Sequence, residues 1–453
     1  MLTRRRRGRA LRSRAYAGGT ALFGALLCAA CGGSSGTELD LQAITDAFES
    51  SHLALVLFDT GGSEIPDEPK IAARMTVIDD GAVNTLDSRA FDYDGPIGIE
   101  LRGHSSQRFP KKQFGVETRG DQGDGIDVEL LGFPEEEDWV FYAPYSDKTL
   151  IRNWFVYGLA AELFPYAPRT RFVEVFVDDL YWGLYLLTEK IKRDGNRVDI
   201  AKLDEDDDAE PEIAGGYLLE LTNETTPGDT FVHTDRALLE LKDPKASKVT
   251  EAQLAWITDH LNAFEDVLYG PDFEDPDSGW RAFADEDSFI DYALIQELVR
   301  NLDGFLRSTF ISKDRGGLLR AGPVWDFNLA MGNVANHARD RPPRGFLFTD
   351  ESVWIDRLLE DAAFADRYVA RWHELRAGPF ATDALMARID SGVAAIGDAA
   401  ARNFERWPVL GREVWPNPTP VPETYADEIA ALKTWLATRV EWLDASIGSV
   451  GSS

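Results

Sequence analysis

Asn301-Leu-Asp-Gly-Phe-Leu-Arg-Ser-Thr-Phe-Ile-Ser-Lys-Asp-Arg-Gly-Gly-Leu-Leu-Arg-Ala-Gly-Pro-Val-Trp-Asp-Phe-Asn328 contains two aspartates whose surroundings decide how the chain is read. Asp303 follows residues 286–302, where the apolar spacing predicts a helix. Thr309 to Arg320 alternates and turns at Gly316-Gly317, which predicts a hairpin. Asp326 follows that hairpin, 23 residues after Asp303. An Asp at a turn is commonplace, but this order has a chemical use. One carboxylate can accept the proton of an attacking hydroxyl while the other holds a divalent cation.

Upstream lies a segment suited to anions. Arg102-Gly-His-Ser-Ser106 sits between two predicted strands and precedes Lys111-Lys112 at the entry to Gln113-Phe-Gly-Val116. A glycine lets backbone approach an anion, and the hydroxyls of Ser105 and Ser106 with nearby amides can bind phosphate oxygens. The segment is neither a Walker A loop nor a Gly-x-Gly-x-x-Gly run, and an ordinary polar hairpin loop also fits. A lysine on the strand beneath such a loop is where a kinase pairs phosphates; Lys112 rather than Lys111 is read as the inward one, with a surface lysine as the bland reading. Asp147 to Leu163 predicts a helix with Asp147 as its N-cap, offering Lys148 and Arg152 to phosphate. A hairpin at 171–187 leads into Thr188-Glu189-Lys190-Ile191, placed where a kinase hinge would be. Loop, lysine, helix, hairpin and two aspartates follow one another in the order that phosphoryl transfer uses them.

The first residues read as an address. Seven arginines lie between Arg4 and Arg14, Ala15 to Ala30 is apolar but short for a bilayer span, and Leu27-Cys-Ala-Ala-Cys31 is followed by Gly and Ser. This resembles a bacterial lipoprotein signal over 1–30, with lipidation on Cys31 and a flexible linker at 31–45. An ordinary secretory signal and a twin-arginine signal are the alternatives. Cys28 and Cys31 are the only two cysteines, so the mature chain has no internal disulfide and depends on its core. The chain carries −31; cleavage removes seven arginines and no acid, which takes it to −38. Such a surface argues against nucleic acid as a partner and favours a basic or Ser-rich protein substrate.

Beyond these segments, strands dominate the first half, including 50–58 and several in 70–118, with turns read at Asp80-Gly81 and Asp94-Gly95-Pro96. Helices dominate the second half, at 250–269, 286–302, 352–376, 382–405 and 423–447. The acid run from Asp204 to Glu212 and the Gly120–Gly125 stretch read as solvated turns, with an ion loop as the alternative. The six histidines are scattered, without zinc-ligand spacing, and no Gly-x-Ser-x-Gly elbow occurs. A glycosidase-type carboxylate pair stays open, because 78 acidic residues guarantee many pairs.

Taken together, Arg102-Gly-His-Ser-Ser, Pro110-Lys-Lys, Asp138-Trp-Val-Phe-Tyr-Ala-Pro-Tyr-Ser-Asp-Lys-Thr-Leu-Ile-Arg-Asn153, Tyr181-Trp-Gly-Leu-Tyr-Leu-Leu-Thr-Glu189, Gly215-Gly-Tyr-Leu-Leu-Glu220, Asn301-Leu-Asp-Gly and Gly322-Pro-Val-Trp-Asp-Phe-Asn-Leu-Ala-Met-Gly332 resemble the spore coat protein H (CotH) kinase family over roughly residues 50–445. The resemblance implies an α+β, atypical protein-kinase-like fold of two lobes, a sheet-rich one at 46–195 and a helical one at 196–450. It implies ATP with Mg2+ or Mn2+, and transfer to protein serines at the cell envelope. Asp303 corresponds to the catalytic aspartate and Asp326 to the metal-binding one, with Asn328 beside it. Arg102, Ser105, Ser106, Lys112, Arg152 and Glu189 are the nucleotide candidates. Two positions depart from pattern. Asn328 stands where the family often has Asp, and Ser308 stands five residues after Asp303, where ordinary kinases keep a metal-binding Asn. Those departures leave a non-catalytic surface adhesin on the same scaffold as the competing function.

Overall fold

Alternating apolar and polar residues build the strands of the N-terminal half, and seven of these close into a barrel. The computed structural model describes residues 40–335, 342–348 and 352–450. The predicted signal, Cys31 and most of the predicted linker lie outside them, and residues from Asp40 onward form one unit. Helix α1 (Leu41–Asp46) already occupies the end of the stretch read as linker.

Chain order then gives β1 (Ala54–Asp59), β2 (Ile71–Ile78), β3 (Phe91–Arg102) and β4 (Gln113–Thr118). A small hairpin of β5 (Val128–Leu130) and β6 (Phe133–Glu136) precedes β7 (Asp138–Tyr142), β8 (Thr170–Val177) and β9 (Leu180–Glu189). The barrel order is β1-β2-β3-β4-β7-β9-β8, closed by parallel pairing of β1 with β8, Val56 opposite Val175. Val56, Phe58, Met75, Val77, Ile99, Phe114, Phe141 and Val173 belong to its buried core. The Phe58 ring lies 5.6 Å from Phe114 and 5.1 Å from Phe141. Side chains fill a small barrel of this kind, so its loops, not its lumen, are free to bind. β3 runs straight through Asp94-Gly95-Pro96, correcting the turn expected there. Pro96 precedes Ile97, the first β3 residue paired with β4, so its missing N–H removes no rung of that ladder.

A second sheet of order β11-β12-β10-β13-β14 comprises β10 (Tyr217–Thr222), β11 (Phe231–His233), β12 (Leu238–Asp243), β13 (Thr309–Lys313) and β14 (Leu319–Ala321). The helices after α1 are α2 (Arg152–Ala160), α3 (Glu251–Leu268), α4 (Glu286–Val299), α5 (Ile355–Leu358), α6 (Ala362–Arg376), α7 (Thr382–Ile396), α8 (Ala399–Arg406) and α9 (Tyr425–Ser446). The fold is thus mixed α and β, with nine helices among the described residues. None of them is long and apolar enough to cross a membrane. One large core joins Phe172, Leu184 and Leu186 of the barrel to α2, α4 and the second sheet. α4 is buried on every side from Ser288 to Val299, which explains why its apolar residues form no single stripe.

Two attachments fix helices around the site. On α8, Asn403 Oδ1 accepts from Leu184 N (3.2 Å) and from the buried Lys111 Nζ (2.8 Å), and Arg402 pairs with the fully buried Glu174. Gly183 makes this approach possible: its φ is +108°, and a Cβ there would sit 2.8 Å from Asn403 Oδ1. Elsewhere Glu297 of α4 and Arg439 of α9 form an ion pair buried out of solvent. Arg439 also donates to Gly345 O (2.7 Å), Arg300 donates to Arg344 O (2.6 Å), and Glu297 accepts from Leu347 N (2.8 Å). Segment 342–348, downstream of Asp326, is therefore pinned to the helix that ends at the Asp303 loop.

Candidate functional site

Arg102, Gly103, Ser105, Ser106, Asp303, Ser308, Asp326 and Asn328 line one cavity of about 470 Å³. Its walls come from the β3–β4 loop, α2, β10 and the loops that follow α4 and β14. The size lies within the range usual for small-molecule sites.

The loop after β3 is built for close approach. Gly103 has φ +93°, and a Cβ on it would run into the Ser106 hydroxyl. Ser105 begins a 3-10 turn that ends at Arg108. Lys112 does not reach the cavity: its Nζ donates to Gln107 O (2.5 Å) and so braces this turn. Of the two lysines it is Lys111 that points inward, correcting the sequence reading. Lys111 reaches Leu184 O (2.5 Å) and Asn403, away from the cavity, and burial holds its ammonium well below the usual lysine range. Arg102 lies over the Trp325 ring at 5.4 Å and, among the described residues, has no carboxylate within salt-bridge distance. Burial lowers its pKa, against the pull of Glu220.

Asp326 is held in a left-handed conformation, φ 56°, by contacts from α2 and from the loop after α4. Its N–H donates to the Tyr157 hydroxyl (3.2 Å), Phe327 N donates to Asn153 Oδ1 (2.8 Å), and Asn301 Nδ2 donates to Asp326 O (3.3 Å). Asn153 and Tyr157 stand four residues apart on α2 and present one face to the cavity. Strain at such a residue is maintained only where the surroundings over-determine it, and it marks functional loops. Burial, with the Asp303 carboxylate nearby, pushes the Asp326 carboxyl up to about 7; the Asn328 N–H and Arg102 pull the other way. Asn328 is fixed in turn: Asn333 Nδ2 donates to its carbonyl (2.8 Å) and to Ser146 O (3.2 Å). Asp303 is mostly buried and pairs with Arg307 Nε at 2.9 Å.

The structure does not bring Arg152 or Glu189 to this cavity. Arg152 is buried in a pair with Asp147 (2.5 Å) and donates to Ala330 O (3.1 Å), so it latches α2 to the chain after Asp326. Glu189 is fully buried against Arg169 (2.8 Å); its neighbour Thr188 faces the cavity, as strand alternation requires. Sequence reading gave no role to several residues that line it. Glu220 on β10 adds a third carboxylate, raised in pKa by burial and 3.4 Å from Lys242. Tyr157, Asn153, Trp325, Trp415 and a further carboxylate, Glu224, also line it. Glu220 lay inside a quoted motif, but one acid among 78 carries no signal of its own.

The donors fit a divalent cation with a phosphorylated ligand. Carboxylate and amide oxygens are the hard ligands Mg2+ takes, and burial with the nearby Asp303 carboxylate already disfavours a lone charge on Asp326. Asp303, Asp326 and Glu220 do not all lie within 4.8 Å of one another; Asp326 and Asn328, two residues apart in one loop, would hold such an ion together with phosphate oxygens. Among the described residues the one carboxylate trio that close is Glu136, Glu137 and Asp138, already bridged by Lys192.

A guanidinium and a tight loop that face carboxylates are the parts a phosphotransferase site needs. The family model described as CotH kinase protein matches residues 99–443, and the chain belongs to that family. The match starts near the end of β3, so β1 and β2, which complete the barrel, precede it. A search of curated proteins found no match. Membership of this family implies ATP and a divalent metal.

Proposed function

We propose that the chain is an exported protein kinase, tethered by a lipid on Cys31, that transfers the ATP γ-phosphoryl group to serines of envelope or secreted proteins. The observation that supports it most is the convergence of Asp303, Asp326, Asn328, Arg102, Ser105 and Ser106 on one cavity. In this reading the barrel and its β3–β4 loop act as the phosphate-cradling lobe, and the helices and second sheet act as the lobe that carries the carboxylates.

Arg102 and the 103–106 amides and hydroxyls bind the phosphates. Asp326 and Asn328 hold Mg2+ or Mn2+, which when bound neutralises charge on the phosphate oxygens. Asp303 orients the serine hydroxyl and takes its proton as the new O–P bond forms and the bond to the bridging oxygen of ADP breaks. Arg307 keeps the Asp303 carboxylate aimed until substrate arrives.

A second reading, a non-catalytic binding protein on the same scaffold, is favoured by Ser308 and Asn328, both cavity residues poorer in charge or ligand capacity than a kinase usually has. Radiolabelled ATP with Mg2+ or Mn2+ separates the two. The purified protein should bind ATP and label at least itself. Asp326→Ala should lose both, and Asp303→Asn should keep binding while transfer falls by roughly 10²–10⁴. Binding without any transfer would establish the second reading; no ATP-induced thermal shift would leave only an adhesin.

A further inference from the structure

Three aromatic rings form a row that ends in the cavity. Tyr145 and Phe109 lie 5.2 Å apart at 31°, and Phe109 and Trp415 lie 6.4 Å apart at 39°. Phe109 and Trp415 share the cavity lining with Asp303 and Asp326. Trp415 is 50% exposed, the only exposed Trp, Tyr or Phe besides Phe91 among the described residues. Leaving an indole in water forgoes the burial that large aromatics normally obtain.

The other Tyr and Trp rings of the cavity are less open. Tyr142 and Tyr157 are buried, and Trp325 is covered by the stacked Tyr157 ring (5.8 Å, 17°) and by the Arg102 guanidinium. Nor does Trp415 sit on a loose strand of chain. Ala335 N donates to Pro416 O (2.7 Å), and Asn417 Nδ2 donates to Ser146 O (2.7 Å) and to Asn333 Oδ1 (2.8 Å). Asn333 is the residue that fixes Asn328, so the exposed ring is braced against the cation-side loop. Phe109, for its part, closes the turn that carries Ser105 and Ser106. A three-residue separation spans at most about 10 Å, so ring and phosphate ligands lie within the reach of one nucleotide.

We infer that Trp415, backed by Phe109, is the platform on which the purine base of the nucleotide stacks while Arg102 and the 103–106 turn take its phosphates. This rests on the nucleotide-binding reading above. Stacking needs only a flat π-face, so the platform adds affinity without demanding hydrogen bonds to the base.

Calorimetry with two ligands tests it: Mg-ATP, and Mg-tripolyphosphate, which has the phosphates and no base. Trp415→Ala should weaken ATP binding by roughly 10–100-fold and leave tripolyphosphate unchanged. Phe109→Ala should weaken ATP binding less, in the same direction. Unchanged ATP affinity in Trp415→Ala overturns the inference, even if a peptide substrate then binds more weakly. An equal loss for both ligands overturns it too, because the ring would then be shaping the phosphate site. If the unaltered protein binds neither ligand, the nucleotide reading falls and the platform with it.

Discussion

Asp326 shows how much a single position combines: a left-handed backbone, three neighbours that hold it there, and a carboxyl raised to about 7. That it lies with Asp303 in one cavity was legible from the order helix, Asp, hairpin, Asp. That Arg102, Ser105 and Ser106 share it was legible from a Gly- and Ser-containing loop between two predicted strands. Lys112, Arg152 and Glu189 were not, since a strand or helix position tells the residue type but not the face it takes. Thr188 and Glu189 differ by one residue and point to opposite surroundings. His260 illustrates another effect invisible in sequence. It stacks on Trp256 (5.0 Å, 9°) with Nε2 buried and unpartnered, and burial, with Lys313 nearby, lowers its pKa from 6.5 to about 4. Between those values the unfolded chain takes up a proton that the folded one refuses. The His260 contribution to stability is therefore intact above pH 6.5 and lost as pH falls toward 4. His260→Phe should shrink the difference in Tm between pH 7 and pH 5 by roughly 2 °C, measured by thermal melts.

At the scale of elements, local signals worked where an element is made by its own residues. The hairpin of β8 and β9 follows directly from alternation, and α3 fills the helix expected at 250–269. The helix expected from Asp147 starts only at Arg152, because Leu150 is left-handed (φ 66°) and the Asp147 carboxylate caps Arg152 N (3.0 Å) from outside. The helix expected at 352–376 divides at Asp361, and that at 382–405 divides at Gly397. Barrel closure left no local trace, since β1 meets β8 more than a hundred residues away. The attachment between α4 and α9 is of the same long-range kind. Arg439→Met would leave Glu297 charged and buried without its partner, at a cost of about 3–5 kcal/mol. Denaturant unfolding should register that loss. Exposed pairs such as Arg367–Asp287 should change stability by less than about 1 kcal/mol when broken.

For the whole molecule, charge is the dominant property. A net charge of −31 sets up a field that draws in basic partners and repels acidic ones, and salt screens it over about 8 Å at physiological strength. Transfer to a basic, Ser-rich peptide should therefore show a KM that rises severalfold between 50 and 300 mM NaCl, while an acidic peptide shows no such rise; steady-state kinetics would reveal it. The contact between Glu297 and Arg439 carries a different implication, one about timing. The arginine is made 142 residues after the carboxylate it neutralises. A nascent or truncated chain that stops short of α9 has every motif quoted from the active cavity and still lacks the charge that lets α4 settle. Any phosphotransfer the cavity supports would then be absent from unfinished copies, without a separate inhibitor.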